Sequence, residues 1–220
     1  MRRDLPLVRG VYRLLERTVL PTILSRGITA DRLTWLGLII SLLAGLAFLW
    51  SPIAAAILIL VSGLCDLLDG LVARHQGSAG PRGAFLDSVL DRYSEVFLYS
   101  GAWGYLYLHT PYRIWGAVLA MAAVVGSFMV SYTRARGEGL GVSCTDGMFQ
   151  RAERMITLAV CGFLDQLAPG ILIMSALGVV AVGGNLTAAY RFWKVEAELT
   201  RRVQSSRDAL DPLASEPESK

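Results

Sequence analysis

Six long apolar blocks constrain this chain more than any other feature of its sequence. They run from Leu33 to Trp50, Ile53 to Arg74, Gly83 to Leu108, Ile114 to Arg134, Met148 to Gln166 and Ala168 to Arg191. A bilayer core of about 30 Å needs about 20 such residues per helix, and only helices or closed barrels satisfy their backbone within lipid. Hydrophobic residues make up 54% of the 220 and the mean hydropathy is +0.48, too apolar for an ordinary soluble domain. The fold expected is an all-α membrane protein with six transmembrane helices. The fifth block is the weakest, because Arg151, Glu153 and Arg154 crowd its start and leave only Met155 to Leu164 cleanly apolar. Tilt, or snorkelling of those charges, would accommodate it.

Basic residues prefer the cytoplasmic side of a membrane, and six spans place both termini on one side. That side receives the seven arginines from Arg2 to Arg32, then Arg74, Arg82, Arg134, Arg136, Arg151, Arg154, Arg191 and Lys194, whereas the other receives only Arg113. Both termini are therefore expected in the cytoplasm. The net charge of +3 reads as lipid-facing and substrate-facing, with no nucleic-acid partner expected. No apolar segment of the signal-peptide kind follows Met1-Arg-Arg-Asp-Leu-Pro, so no cleaved leader is expected.

Ahead of the first span, Val8, Val11, Tyr12, Leu15 and Val19 recur at helical spacing opposite Arg9, Arg13, Glu16 and Arg17. Residues 1–27 are read as an amphipathic helix lying in the membrane interface, or packed on the cytoplasmic loops. Residues 28–198 form the six-helix domain. The polar stretch 199–220 is read as a disordered cytoplasmic tail. Cys65, Cys144 and Cys161 show no paired spacing and are expected to be reduced and structural.

The chemistry is written in carboxylates that a membrane helix should avoid. An aspartate at the centre of a spanning helix costs about 2.5–3.5 kcal/mol on insertion scales and so requires a partner or a function. Asp66 and Asp69 precede the cytoplasmic end of the second block, three apart on one helix face; Asp87 and Asp91 follow the start of the third, four apart. Asp66 lies about 12 Å along the helix from Arg74, and Asp91 is similarly deep, so four carboxylates can converge in one cavity open to the cytoplasm. They cannot all stay ionised there without cations. Arg74 and Arg92 can neutralise some of them, as in a buried ion-pair network. A hard, all-oxygen set also suits Mg2+, with Mn2+ as an alternative, and two such ions would clamp a phosphate.

The residues Asp66-x-x-Asp69-Gly70-x-x-Ala73-Arg74, eight further residues, then Gly83-x-x-x-Asp87-x-x-x-Asp91 resemble the signature of the CDP-alcohol phosphotransferase family. The resemblance implies that Asp66, Asp69, Asp87 and Asp91 hold the metals and that Asp91 is also the catalytic base. It implies a CDP site at Asp66, Asp69, Gly70, Ala73, Arg74 and Gly83. Small residues there would let a nucleotide approach the backbone and Arg74 would pair with phosphate; close helix packing is the other reading of Gly70, Ala73 and Gly83. Two positions depart from the usual pattern: Gly80 stands where the family often has a small hydroxyl residue, and Gly27-Ile28-Thr29-Ala30-Asp31 where it often has Pro-Asn.

A basic tract, Ser131-Tyr-Thr-Arg134-Ala-Arg136-Gly-Glu138, is followed by Arg151-Ala-Glu153-Arg154 and by Arg191. Such a cluster suits a phosphorylated substrate, although cytoplasmic anchoring alone also places arginines there. The tract is similar to that of the phosphatidylinositol phosphate synthase branch, which implies that Arg134, Arg151 or Arg154, and Arg191 bind the acceptor phosphate. Gln150 stands where that branch has a glutamate. The implied reaction moves a phosphatidyl group from CDP-diacylglycerol, or an ether-lipid equivalent, to a hydroxyl of inositol 1-phosphate with release of CMP. Glycerol 3-phosphate or another alcohol is the alternative acceptor, and a cation transporter the alternative of a different class. The family also implies a homodimer in the bilayer, and the expected location is the cell's inner membrane with the active site facing the cytoplasm.

Overall fold

The computed structural model describes residues 6–144, 146–147 and 149–210, with side chains over 10–207 of these. Among the described residues every regular element is helical. Two short helices, α1 (Pro6–Thr18) and α2 (Leu20–Ser25), lead into α3 (Ala30–Phe48), α4 (Pro52–His75), α5 (Pro81–His109), α6 (Arg113–Gly139), α7 (Arg151–Leu164) and α8 (Ile171–Leu210). Proline opens α2, α4 and α5, where its missing N–H costs nothing. Ser51 caps α4 by accepting from the amide of Ala54 at 3.3 Å.

Four of these helices are long and apolar enough to cross a membrane: α3, α4, α6 and the stretch Ile171–Arg207 of α8. The other two expected spans differ for identifiable reasons. The first half of α5 carries Arg82, Asp87, Asp91, Arg92 and Glu95. The block Met148 to Gln166 contains a 14-residue helix, about 21 Å long and so shorter than the bilayer core. It ends in a single 3-10 turn, Asp165–Leu167, where buried Asp165 accepts from Tyr105 Oη at 2.6 Å and from the amides of Gly170 and Ile173. Met148 itself lies outside the described residues.

The expected tail requires correction. Helix α8 continues through Leu210, so 199–210 is helical instead of disordered. Pairs one turn apart explain this: Arg202 donates to Glu198 at 3.1 Å, Thr200 to Glu196 at 3.2 Å, and Ser206 to the carbonyl of Arg202 at 2.9 Å. Arg202 also reaches the carbonyls of Leu140 and Gly141. Residues 211–220 lie outside the described ones.

Two layers of contact hold the bundle. The main core joins α3 to α8 through Phe48, Ile59, Leu98, Leu158, Ile173 and Leu177, all at or below 1% exposure. A second cluster buries Leu15, Leu20 and Ile23 of the N-terminal helices against Leu33, Leu68, Leu71 and Val72, while Val11 and Leu14 remain outward-facing. The side chains of Val8 and Arg9 are outside the described set. Helices α3 and α5 cross so closely that a Cβ on Gly101 would lie 2.1 Å from the carbonyl oxygen of Gly45. That contact seats α5 on α3, the helix that also packs against α4.

Candidate active site

Helix α4 stops at Gln76, and Gly77 takes a positive φ of 64°, returning the chain within five residues to Pro81. The amide of Ser78 bonds back to the carbonyl of Ala73 at 3.0 Å. This tight return sends α5 back antiparallel to α4, both packed on α3, with their aspartates at one level. One guanidinium demonstrates it: Arg151 Nη1 lies 2.6 Å from Asp66 Oδ2 and 2.8 Å from Asp91 Oδ1.

Three of the four aspartates converge. Asp66, Asp69 and Asp87 each offer a carboxylate oxygen within 4.8 Å of the others. Asp69 is buried and accepts from Thr34 Oγ1 of α3 at 2.9 Å. Asp87 Oδ1 is buried with no hydrogen-bond partner among the described residues, a costly position for a carboxylate oxygen unless a cation satisfies it. The set therefore fits a hard divalent ion. Asp91 stands apart from the trio, its second oxygen 3.3 Å from Arg92 Nη1, while Arg92 Nη2 donates to Ser131 Oγ of α6. The buried-network reading is thus met in part, through Arg151 and Arg92. Arg74 makes no ion pair with the four aspartates among the described residues.

Two cavities meet at this cluster. The first, of about 540 Å³, is lined by Asp69, Gly70, Ala73, Arg74, Gly83 and Asp87, so it gathers every residue expected at the CDP site except Asp66. A Cβ on Gly83 would meet nothing within 4 Å, and one on Gly70 only Arg74 Nη1 at 3.4 Å. These glycines face open space, which argues against the helix-packing alternative. Thr29, Thr34, Asp31 and Gln76 also line this cavity and were not anticipated. Asp31 pairs with Arg82 at 2.7 Å, bridging the starts of α3 and α5 across the position where the usual Pro-Asn is missing.

The second cavity, of about 400 Å³, is bordered by Arg134, Arg151, Arg154 and Arg191, the four arginines singled out from the sequence, and also by Arg92. Their surroundings differ. Arg134 is half-exposed and donates to Glu138 at 2.8 Å. Arg191 is buried, donating to the carbonyls of Asp146 at 2.8 Å and Val130 at 2.7 Å. Arg154 is 1% exposed and pairs with Glu95, a residue the sequence reading passed over. Ala84 and Asp87 line both cavities.

Comparison with known proteins identifies the family. The family model described as CDP-alcohol phosphatidyltransferase matches residues 27–182. The archaetidylinositol phosphate synthase of Methanothermobacter thermautotrophicus is 33% identical over 175 residues, 76% of this chain and 86% of the relative. The phosphatidylinositol phosphate synthase of Mycolicibacterium smegmatis is 29% identical over 219 residues, 94% of this chain and 91% of the relative. The crystal structure of the Mycobacterium tuberculosis phosphatidylinositol phosphate synthase with CDP-DAG bound superposes with a TM-score of 0.72 at 26% identity, covering 80% of this chain and 91% of that one. Another structure of the same mycobacterial protein is a complex with manganese and citrate.

Proposed function

Since this chain belongs to the CDP-alcohol phosphatidyltransferase family, we propose that it transfers a phosphatidyl group from CDP-diacylglycerol, or an ether-lipid equivalent, to a hydroxyl of inositol 1-phosphate, releasing CMP. The observation that carries this reading is the shared wall. A glycine-lined cavity and an arginine-lined cavity meet at Ala84 and Asp87, beside the three converging carboxylates. A donor in one and a phosphorylated alcohol in the other would present their reacting atoms to the same carboxylates. Family membership also leaves the transporter reading without support.

The donor's cytidine and pyrophosphate would occupy the first cavity, where Gly70, Ala73 and Gly83 leave room beside the backbone and Arg74 supplies charge. Asp66, Asp69 and Asp87 would hold divalent metal, which we take to be two Mg2+ ions with Mn2+ as a substitute and Asp91 as a further ligand. When bound, such ions supply charge stabilisation at the attacked phosphate and at the leaving CMP. Asp91, on the acceptor side of the cluster, would take the hydroxyl proton as general base. Arg134, Arg151, Arg154 and Arg191 would receive the acceptor's phosphate through charge-assisted bonds.

The membrane arrangement follows from the same reading. We place all six helices α3 to α8 across the inner membrane, with α5 and α7 sheltering their charges inside the bundle. Helix α1 would lie in the interface, with Val11 and Leu14 toward lipid. Both termini and the two cavities would face the cytoplasm, and the protein would work as a homodimer. The test is CMP release by purified protein given labelled CDP-diacylglycerol, Mg2+ and one of four acceptors: inositol phosphate, glycerol phosphate, serine or inositol. Turnover should require metal and inositol phosphate. Comparable turnover with glycerol phosphate or free inositol would sink the acceptor assignment.

A further inference from the structure

Glu95 lies one turn beyond Asp91 on the row Asp87, Asp91, Glu95, and is buried at 1% exposure. We propose that Glu95 is a positioning residue for the acceptor phosphate, fixing the guanidinium of Arg154 at the wall of the arginine-lined cavity. This rests on the acceptor reading given above.

The contacts around Arg154 define its geometry. Its Nε and Nη2 both donate to Glu95 Oε1, at 2.9 and 2.5 Å, and its Nη1 donates to the carbonyl of Phe149 at 3.0 Å. The planar fork is thus held from two sides, by α5 and by the segment entering α7. Its orientation is fixed before any ligand arrives, and a pre-oriented donor loses less entropy on binding.

Stability alone does not account for the pair. A buried ion pair commonly contributes less than apolar residues of the same volume, and this one stands at the wall of a cavity. A purely structural carboxylate would also be expected to satisfy both oxygens. Here Oε1 carries both bonds, while Oε2 is buried with no partner among the described residues. The carboxylate is placed for the guanidinium and not for its own full pairing. The cavity gives a reason: Arg92, Arg134, Arg151 and Arg191 border it too, and a fifth cation would be repelled without a counter-charge at its back. Glu95 supplies that charge from the side away from the ligand.

The test uses the full-length protein, with apparent KM measured separately for CDP-diacylglycerol and inositol phosphate. Glu95→Gln removes the counter-charge and should raise the acceptor KM about tenfold, the scale of one charge-assisted contact to phosphate, leaving the donor KM unchanged. Glu95→Asp keeps the buried charge but withdraws it by one methylene, so the protein should fold while acceptor KM still rises several-fold. Arg154→Gln should raise it too, and adding Glu95→Gln to that variant should have no further effect, because the two act as one unit. A wild-type acceptor KM in Glu95→Asp, or equal shifts in donor and acceptor KM, would overturn the positioning role. If Arg154→Gln raises the acceptor KM and both Glu95 variants do not, the acceptor reading survives and only this inference fails. If Arg154→Gln leaves it unchanged, the acceptor assignment of Arg154 falls and takes this inference with it.

Discussion

Replacing Asp91 with asparagine separates catalysis from architecture at the most informative position of the site. Asp91 Oδ1 lies 2.8 Å from Arg151 and Oδ2 3.3 Å from Arg92, so Asp91→Asn keeps one acceptor oxygen for a guanidinium and loses one charge-assisted contact while conserving shape. Arg151 is not stranded, since its Nη1 remains 2.6 Å from Asp66. The architectural cost should be on the order of one charged hydrogen bond, about 1.5–3 kcal/mol, and the variant should fold and bind donor. Removing a general base lowers rate by about 10²–10⁴-fold, or roughly 2.7–5.5 kcal/mol in the barrier. Single-turnover CMP release at saturating metal and acceptor measures that step directly, and donor-induced thermal stabilisation reports folding. A rate within about threefold of wild type would refute the role of Asp91 as base.

Asp87→Asn and Asp66→Asn should move the metal titration to at least about tenfold higher concentration, read as Mn2+ binding as well as turnover; an unchanged titration in both would remove them as ligands. Gly83→Leu should project into the first cavity, since a Cβ there meets nothing within 4 Å, raising the donor KM with folding intact; an unaltered donor KM would place the nucleotide elsewhere. Arg134→Ala should raise the inositol phosphate KM about tenfold without changing that for CDP-diacylglycerol, whereas a pure topological anchor would change neither.

Much of the fold was legible because lipid imposes length and apolarity on helices, and α3, α4, α6 and α8 display both. Helices α5 and α7 were harder for the same reason. Their charges are satisfied by one another across the bundle, through Arg151 with Asp66 and Asp91, and Arg154 with Glu95. Such pairing is invisible to a window moving along one segment. The extent of α8 was also hidden: its composition beyond Arg191 resembles a solvated tail, and pairs one turn apart such as Glu198 and Arg202, with the carbonyls of Leu140 and Gly141 nearby, stabilise it as helix. Close crossings at Gly45 and Gly101 depend on which helices become neighbours, which spacing within either helix does not reveal.

The site was legible wherever function demands fixed spacing on one element, and less so where it draws on several. Asp66, Asp69 and Asp87 converge because a five-residue return joins α4 to α5 and both helices pack on α3. Thr34, bonded to Asp69 from α3, carried no signal, since a threonine in an apolar helix usually bonds its own backbone, as Thr34 also does to Ala30 at 3.1 Å. Glu95 is different, because its signal was present. Asp87, Asp91 and Glu95 repeat every four residues, so an acidic stripe had to face the interior for two turns and not one. A stripe that long exceeds what a divalent ion at Asp66, Asp69 and Asp87 would neutralise, and the remaining charge calls for an internal cation. Among the later arginines, Arg151 and Arg154 stand three apart on one face of α7, so the helix that answers Asp91 with the first answers Glu95 with the second.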